Sequence, residues 1–343
     1  MPVFDGHGDA SIRLCAAALQ AGELVAFPTE TVYGLGADAG NDGAVAKIFS
    51  AKGRPSAHPL IVHVDDAGRG ADGVAHFAST VPPVARALMQ AFWPGPLTVI
   101  LPRQMHLAAA AAGGQGSIGL RCPAHPVALA LLRACRERGV LGLAGPSANQ
   151  FGRVSPTTAA HVRAEFGEAL HILDGGPCSV GIESTIVDCT RSAPVLLRPG
   201  GITLRQLEDA CDQQVWSAHE AASAMPGSLV PRASGTLEAH YAPAATVRLM
   251  DSRALKAALE VLGSTPKGTQ PVIAVYARSI LRTRAPAVLQ RQMPDDAAAA
   301  AQQLFAVLRD FDAHGVKLIW VETPPATLEW DGVRDRLQRA AAS

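Results

Sequence analysis

Up to about residue 210 the chain keeps alternating short apolar runs with helical patterns, and this alternation leaves few folds open. Strands are expected at 24–28, 60–64, 97–101, 116–121, 139–144, 172–174, 184–188 and 195–198. Helical spacing falls near 11–21, 43–51, 82–92, 126–138, 157–166 and 203–210. Such a series predicts an α/β domain built on one many-stranded open sheet over residues 1–211. Over 212–245 the periodicity fails, and Pro226, Gly227, Pro231, Gly235 and Pro243 mark a linker. His240 and Tyr241 are unusual residues for a mere spacer. From 246 to 343 the alternation resumes, with strands at 246–250, 271–277 and 317–323 and helices at 252–262, 295–314 and 332–342. A smaller three-layer α/β domain with a mostly parallel sheet is expected there.

Composition bounds what such domains can do. The chain has 343 residues, 48% hydrophobic and 17% charged, which suits two packed cores and argues against disorder. Its formal net charge is +0, so it carries no global nucleic-acid footprint, although a local basic cleft is allowed. Six cysteines, at 15, 122, 135, 178, 189 and 211, show neither CxxC pairs nor metal spacing and read as reduced thiols. Asp5, His7 and Asp9 stand where a signal peptide needs an apolar core, and no apolar run reaches the length of a membrane span. A cytoplasmic protein is expected, with no membrane partner.

Lysine is scarce here: of 30 basic residues, Lys47, Lys52, Lys256, Lys267 and Lys317 are the lysines. One of them opens the tripeptide Lys52-Gly53-Arg54, which sets a compact point charge beside a planar fork. By itself the tripeptide reads as two solvated surface cations in a loop. Several expected strands, however, are flanked by loops that combine glycine or proline with a hydroxyl, an amide or a cation: 28–31, 145–149 continuing to 155–156, 181–185 and 198–201. Each loop alone reads as turn chemistry. At one edge of an open sheet, however, they would gather Lys52, Arg54, Arg121 and Arg198 with Thr31, Ser147, Asn149, Ser155 and Ser184. That set suits an anionic ligand bearing hydroxyls, such as a nucleotide. P-loop, HExxH, GxSxG and zinc signatures are absent from the sequence. The GxGxxA match at 34–39 lies past its strand and lacks the expected downstream acid, since position 54 is arginine.

PTETVYGLGADA, KGRPSAHPLIVHV, FWPGPLTVIL, GLRCPAHP, GPSANQFGRVSPTTAAHV, DGGPCSVGIESTIVD, LLRPGGIT and HYAP occur in this order. In that order they resemble the threonylcarbamoyl-AMP synthases of the two-domain type. The resemblance covers essentially the whole chain and implies a YrdC-like open twisted sheet domain followed by the smaller α/β domain. It implies synthesis of threonylcarbamoyl-AMP and pyrophosphate from L-threonine, bicarbonate and ATP. The product would go to a transferase complex that makes N6-threonylcarbamoyladenosine next to the anticodon of tRNA. Thr31, His63, Arg121 and Ser184 would surround threonine. Lys52, Arg54, His58, Ser117, Ser147, Asn149, Ser155, Arg198 and Tyr241 would meet ATP, with Lys52 and Arg54 catalytic on the phosphates and Tyr241 closing over the nucleotide as part of a lid. Mg2+ would arrive with ATP, with no protein ligand assigned. His58 departs from the asparagine often found there, and a histidine can still donate a hydrogen bond. Asn149 could instead serve only its own loop. Alternatives are an RNA-binding module of the same fold without catalysis, with weak tRNA contact, and a carbamoyl enzyme of hydrogenase maturation. The latter normally carries zinc-finger cysteine pairs that are missing here.

Overall fold

The computed structural model describes residues 2–65, 72–224, 231–263, 273–279 and 288–343. They divide into two compact units. The first comprises residues 1–151 and 155–236, and the second comprises 152–154 and 237–343. The expected linker is therefore shared: its described residues up to Thr236 belong to the first unit, and those from Leu237 onward belong to the second.

The first unit carries β1 (Val3–Asp5), β2 (Val25–Phe27), β3 (Gly34–Asp38), β4 (Ile61–His63), β5 (Leu97–Pro102), β6 (Ser117–Arg121), β7 (Leu143–Ala144), β8 (His171–Asp174), β9 (Thr185–Asp188), β10 (Val195–Arg198) and β11 (Trp216–Ser217). They form one mixed sheet in the order β1-β8-β2-β3-β7-β4-β6-β5-β9-β10-β11. Sequence reading placed eight of these strands and left out β1, β3 and β11. The case of β3 is instructive, because its sequence GLGAD has the composition of a turn. Its glycines are required by packing: a Cβ on Gly36 would come within 2.9 Å of the Phe27 ring on the paired strand β2. The strand expected at 139–144 shrinks to β7, because Gly139 (φ 84°) and Val140 complete the preceding helix, Val140 N–H donating to Cys135 O at 3.0 Å. Helices Asp72–Phe77 and Ala218–Ala224 also escaped the periodicity. Each is less than two turns long or nearly so, too short to establish a repeat.

Two helix ends matter for the site. The helix Asp42–Lys52 starts at Asn41, whose side chain accepts from Ala44 N–H, and it stops at Gly53 in the left-handed region (φ 61°). Gly53 N–H and Arg54 N–H then close back onto Ser50 O and Phe49 O. The glycine of Lys-Gly-Arg is thus a helix terminator that sets the two cations on either side of a reversal. The helix Ala159–Phe166 is capped by Thr158, whose hydroxyl accepts from His161 N–H.

In the second unit, β12 (Thr246–Met250), β13 (Ile273–Ala277), β14 (Val288–Gln292) and β15 (Leu318–Glu322) run parallel in the order β12-β15-β13-β14. Val275 and Ala277 pack with Leu255 and Leu259 on one face. On the other face Ala274, Tyr276, Ile319 and Val321 are also buried, so both faces are covered and the unit has three layers. The strand β14 was not expected. The helix Ala297–Ala313 buries Leu304, Phe305, Leu308 and Phe311, the stripe its spacing predicts. The start of the strand expected at 271–277 lies outside the described residues.

Candidate active site

The chemistry-bearing side chains of the first unit come from strand ends and the loops beyond them. Lys52, at the end of its helix, is 2% exposed. Its Nζ donates to Ser147 O at 2.6 Å and to Asn149 O, so the lysine pins the loop 145–149. Burial, and next the Arg54 charge, lower its pKa from 10.5 to about 7, against a smaller upward pull from Glu165 and Glu183. Arg54 is 7% exposed; its Nη2 donates to Pro59 O at 3.0 Å, and its guanidinium lies 5.5 Å from the centre of the Phe151 ring. His58 meets the same ring edge-on, and burial followed by the Arg54 and Arg232 charges lowers its pKa.

A second cluster surrounds Arg198, at the end of β10. Its Nε and Nη2 donate to Ser184 O at 3.1 and 2.8 Å, and Nη2 also reaches Ser184 Oγ at 3.2 Å. Thr98 Oγ1, on β5, is 2.7 Å from Ser184 Oγ. Arg198 Nη1 donates to Ser234 O at 2.8 Å, and Arg54 Nη2 approaches Ser234 Oγ at 3.4 Å. One serine from the expected linker therefore bridges the two arginines. Beside it the Gln115 side chain accepts from Arg232 N–H at 2.8 Å and donates to Arg232 O at 3.2 Å. Under this strap lies a small cavity lined by Leu60, Ile61, Ile100 and Ile186 with Thr98 and Ser117.

A third cluster lies at the ends of β2, β4 and β6. Arg121 Nη2 donates to Glu30 Oε1 at 2.6 Å, and Glu30 Oε2 accepts from Ala124 N–H at 3.0 Å. Thr31 Oγ1 is 2.8 Å from Thr29 Oγ1. His63 is 2% exposed; burial, and then the charge of Arg121, lower its pKa to about 3. The ring is thus neutral and can only exchange hydrogen bonds. Gly145 packs close on it, leaving no room for a Cβ, which would fall 2.9 Å from Nδ1.

The first unit therefore gathers the expected Lys52, Arg54, Ser147, Asn149, Ser155, Ser184 and Arg198 with Thr31, His63 and Arg121 along its strand ends. Ser117 lines the cavity, and His58 lies at the Arg54–Phe151 edge. Two residues show a local role. Asn149 Nδ2 donates to Gln150 O at 2.7 Å, which serves its own loop, and the Ser155 hydroxyl donates to the Glu183 carboxylate. Tyr241, expected to close over the nucleotide, belongs to the second unit. Its ring is buried in the second unit, stacked on Phe305 at 5.5 Å with the Arg336 guanidinium 5.2 Å from its centre, and its backbone is left-handed (φ 62°). Within the first unit, Arg232 and Ser234 of the expected linker bond to Gln115, Arg54 and Arg198. Ser234, Thr98, Gln115 and Glu183 were missed as site residues. In sequence Ser234 resembles any serine before a glycine, and the other three lie inside recognised motifs or beside a strand without distinguishing chemistry.

Buried cations, hydroxyls and a closing strap at the strand ends of an α/β sheet define an enzyme of the kind that binds a phosphorylated or carboxylated substrate. A family profile described as Telomere recombination matches residues 17–200, and one described as Threonylcarbamoyl-AMP synthase, C-terminal domain matches 202–342. The threonylcarbamoyl-AMP synthase of Bacillus subtilis is 38% identical, the alignment covering 97% of this chain and 93% of that protein. The one from Schizosaccharomyces pombe is 36% identical over 93% of this chain and 85% of its own. Among solved structures, Pyrococcus abyssi Sua5 complexed with L-threonine superposes with a TM-score of 0.84 at 33% identity, covering 99% of this chain and 96% of that one. The chain belongs to the threonylcarbamoyl-AMP synthase family, and it is an enzyme of the nucleotidyl-transferring type. Among the described residues no helix is long and apolar enough to cross a membrane.

Proposed function

We propose that this chain joins L-threonine, bicarbonate-derived carbon dioxide and ATP into threonylcarbamoyl-AMP, releasing pyrophosphate, for modification of tRNA beside the anticodon in the cytoplasm. The observation that carries the reading is the convergence of Lys52, Arg54, Arg121 and Arg198, all buried, around hydroxyls in one unit. In the first step the threonine amine bonds to carbon dioxide and gives up a proton, forming a carbamate. A carbamate oxygen then attacks the α-phosphorus, and the bond to the β-phosphate oxygen breaks. Such transfer needs orientation and neutralised charge rather than a protein nucleophile. The cysteines fit this view, since burial pushes the thiols of Cys135 and Cys178 up to about 12.

In this reading Arg121, His63, Thr31 and Ser184 hold threonine, while Lys52, Arg54 and Arg198 face the phosphates with His58, Ser117 and Ser147. Ser234, which meets both Arg54 and Arg198, serves as a lid residue over the phosphates. Mg2+ accompanies ATP. With ATP, phosphate oxygens and water would supply most of the ligands to such a metal. The test is pyrophosphate release from ATP, with L-threonine and bicarbonate omitted in turn. Release should require both, and release independent of threonine would sink the reading.

A further inference from the structure

The Glu30–Arg121 contact does more than fill a buried corner. Arg121 is 3% exposed and Glu30 6%. The guanidinium is held along one side, with Nε on Gly95 O at 3.3 Å and Nη2 on Glu30 at 2.6 Å. Among the described residues Nη1 has no hydrogen-bond partner and is not sealed from solvent, so it is the edge of the guanidinium left open to a ligand. Glu30 is itself fixed at three points: Oε1 by Arg121, Oε2 by Ala124 N–H, and its carbonyl by Val180 N–H at 2.7 Å. It thus ties the turn after β2 to the segment after β6 and to the loop before β9.

We propose that Glu30 is a positioning residue for the amino-acid substrate, holding Arg121 so that its Nη1 edge is presented to the substrate carboxylate. This rests on the reading that Arg121 meets threonine. The pair also sets selectivity. A buried guanidinium without a counter-charge would attract any small anion, whereas one already matched by Glu30 favours an anion through direction rather than net charge. Both Glu30 oxygens are engaged, so the carboxylate is not offered to the substrate ammonium, which must lose its proton to react.

Glu30→Gln tests the idea, because an amide cannot accept from both Arg121 and Ala124 N–H. In the full-length enzyme, the KM for threonine should rise about 10- to 100-fold, the size of a misdirected charged hydrogen bond, while kcat and the KM for ATP stay within about threefold. Inorganic sulfate should become a stronger inhibitor, competitive with threonine. Glu30→Asp, which keeps the charge, should fall between the two, and it replaces the glutamine variant as the test should that variant not fold. Arg121→Lys is measured alongside. A raised threonine KM in Arg121→Lys with an unchanged one in folded Glu30→Gln would overturn the role of Glu30 and leave Arg121 in place. An unchanged KM in both would remove threonine from Arg121, and the proposal with it. Equal losses in threonine and ATP KM would make Glu30 a general structural residue.

Discussion

Lys52→Ala should leave a folded protein whose pyrophosphate release is slowed by about 100- to 1000-fold, the cost of losing one preorganised charge in a water-poor site. Folding should survive because two effects oppose each other. Ser147 O and Asn149 O lose their donor, at about 1.5–3 kcal/mol for each bond to a charged group. Against this, the variant no longer buries an ammonium whose pKa falls from 10.5 to about 7, a displacement equivalent to roughly 5 kcal/mol. A melting midpoint within a few degrees of the parent, with turnover lost, is the expected pair of results. Undiminished turnover would remove Lys52 from the chemistry.

The same lysine predicts a pH dependence. If its positive charge receives the phosphates, kcat/KM for ATP should fall as pH rises through about 7, where the folded protein's Lys52 loses its proton. Burial is the main cause of the low value, and Arg54 is next. Arg54→Ala should therefore move the alkaline limb upward, besides lowering the rate. The sign for stability is opposite to that of a surface pair. Between about 7 and 10.5 the unfolded chain holds the Lys52 proton and the folded one does not, so this group adds stability as pH rises across that window. Its contribution should vanish in Lys52→Ala, measured by denaturation at several pH values.

Arg198→Met should cost both stability and activity. The side chain is 2% exposed and supplies donors to Ser184 O, Ser184 Oγ and Ser234 O. Methionine fills similar space but leaves those acceptors without it, so a loss of about 3–5 kcal/mol is expected. In a domain of this size that lowers the melting midpoint by roughly 10 °C. Activity should fall further than stability explains at assay temperature, since Ser184 would be held by Thr98 alone and Ser234 would lose its stronger anchor. Arg198→Lys should recover part of the stability and little of the activity, because one ammonium cannot span both serines. Full activity in a folded Arg198→Met would show that the strap and Ser184 are positioned by other groups.

The sequence made the long helices and buried strands legible because each carries its own period. The stripe Leu304, Phe305, Leu308 and Phe311 is enough to place its helix. The strand β3 was hidden because its identity is decided by Phe27 across the ladder, where glycine is needed for space rather than for a turn. Lys52 was legible by the scarcity of lysine and the arginines by their neighbouring motifs, and Gly53 as the terminator between Lys52 and Arg54 could be read only once the helix was seen to end there. What pairs with each cation was not legible. Glu30 and Arg121 are 91 positions apart, and Arg54 and Ser234 are 180 apart. No local pattern reports such partners. Nor could the sequence report that the Tyr241 ring stacks on Phe305, 64 positions away, or that a plain serine upstream meets the arginines.

The chain also enters the second unit twice, once for Gly152–Val154 and again from Leu237. Within that unit Ala242 N–H donates to Gly152 O at 2.8 Å, Arg153 and Ala242 form a bridge, and Arg309 donates to Val154 O. The second unit is therefore not a cassette that one cut can remove or graft. A gene truncated after the codon for Thr236 would strip three residues of the loop 145–155 of their partners. A chimera that exchanges the C-terminal unit would have to exchange residues 152–154 with it, or accept a foreign fit a few residues from the carbonyls that hold Lys52.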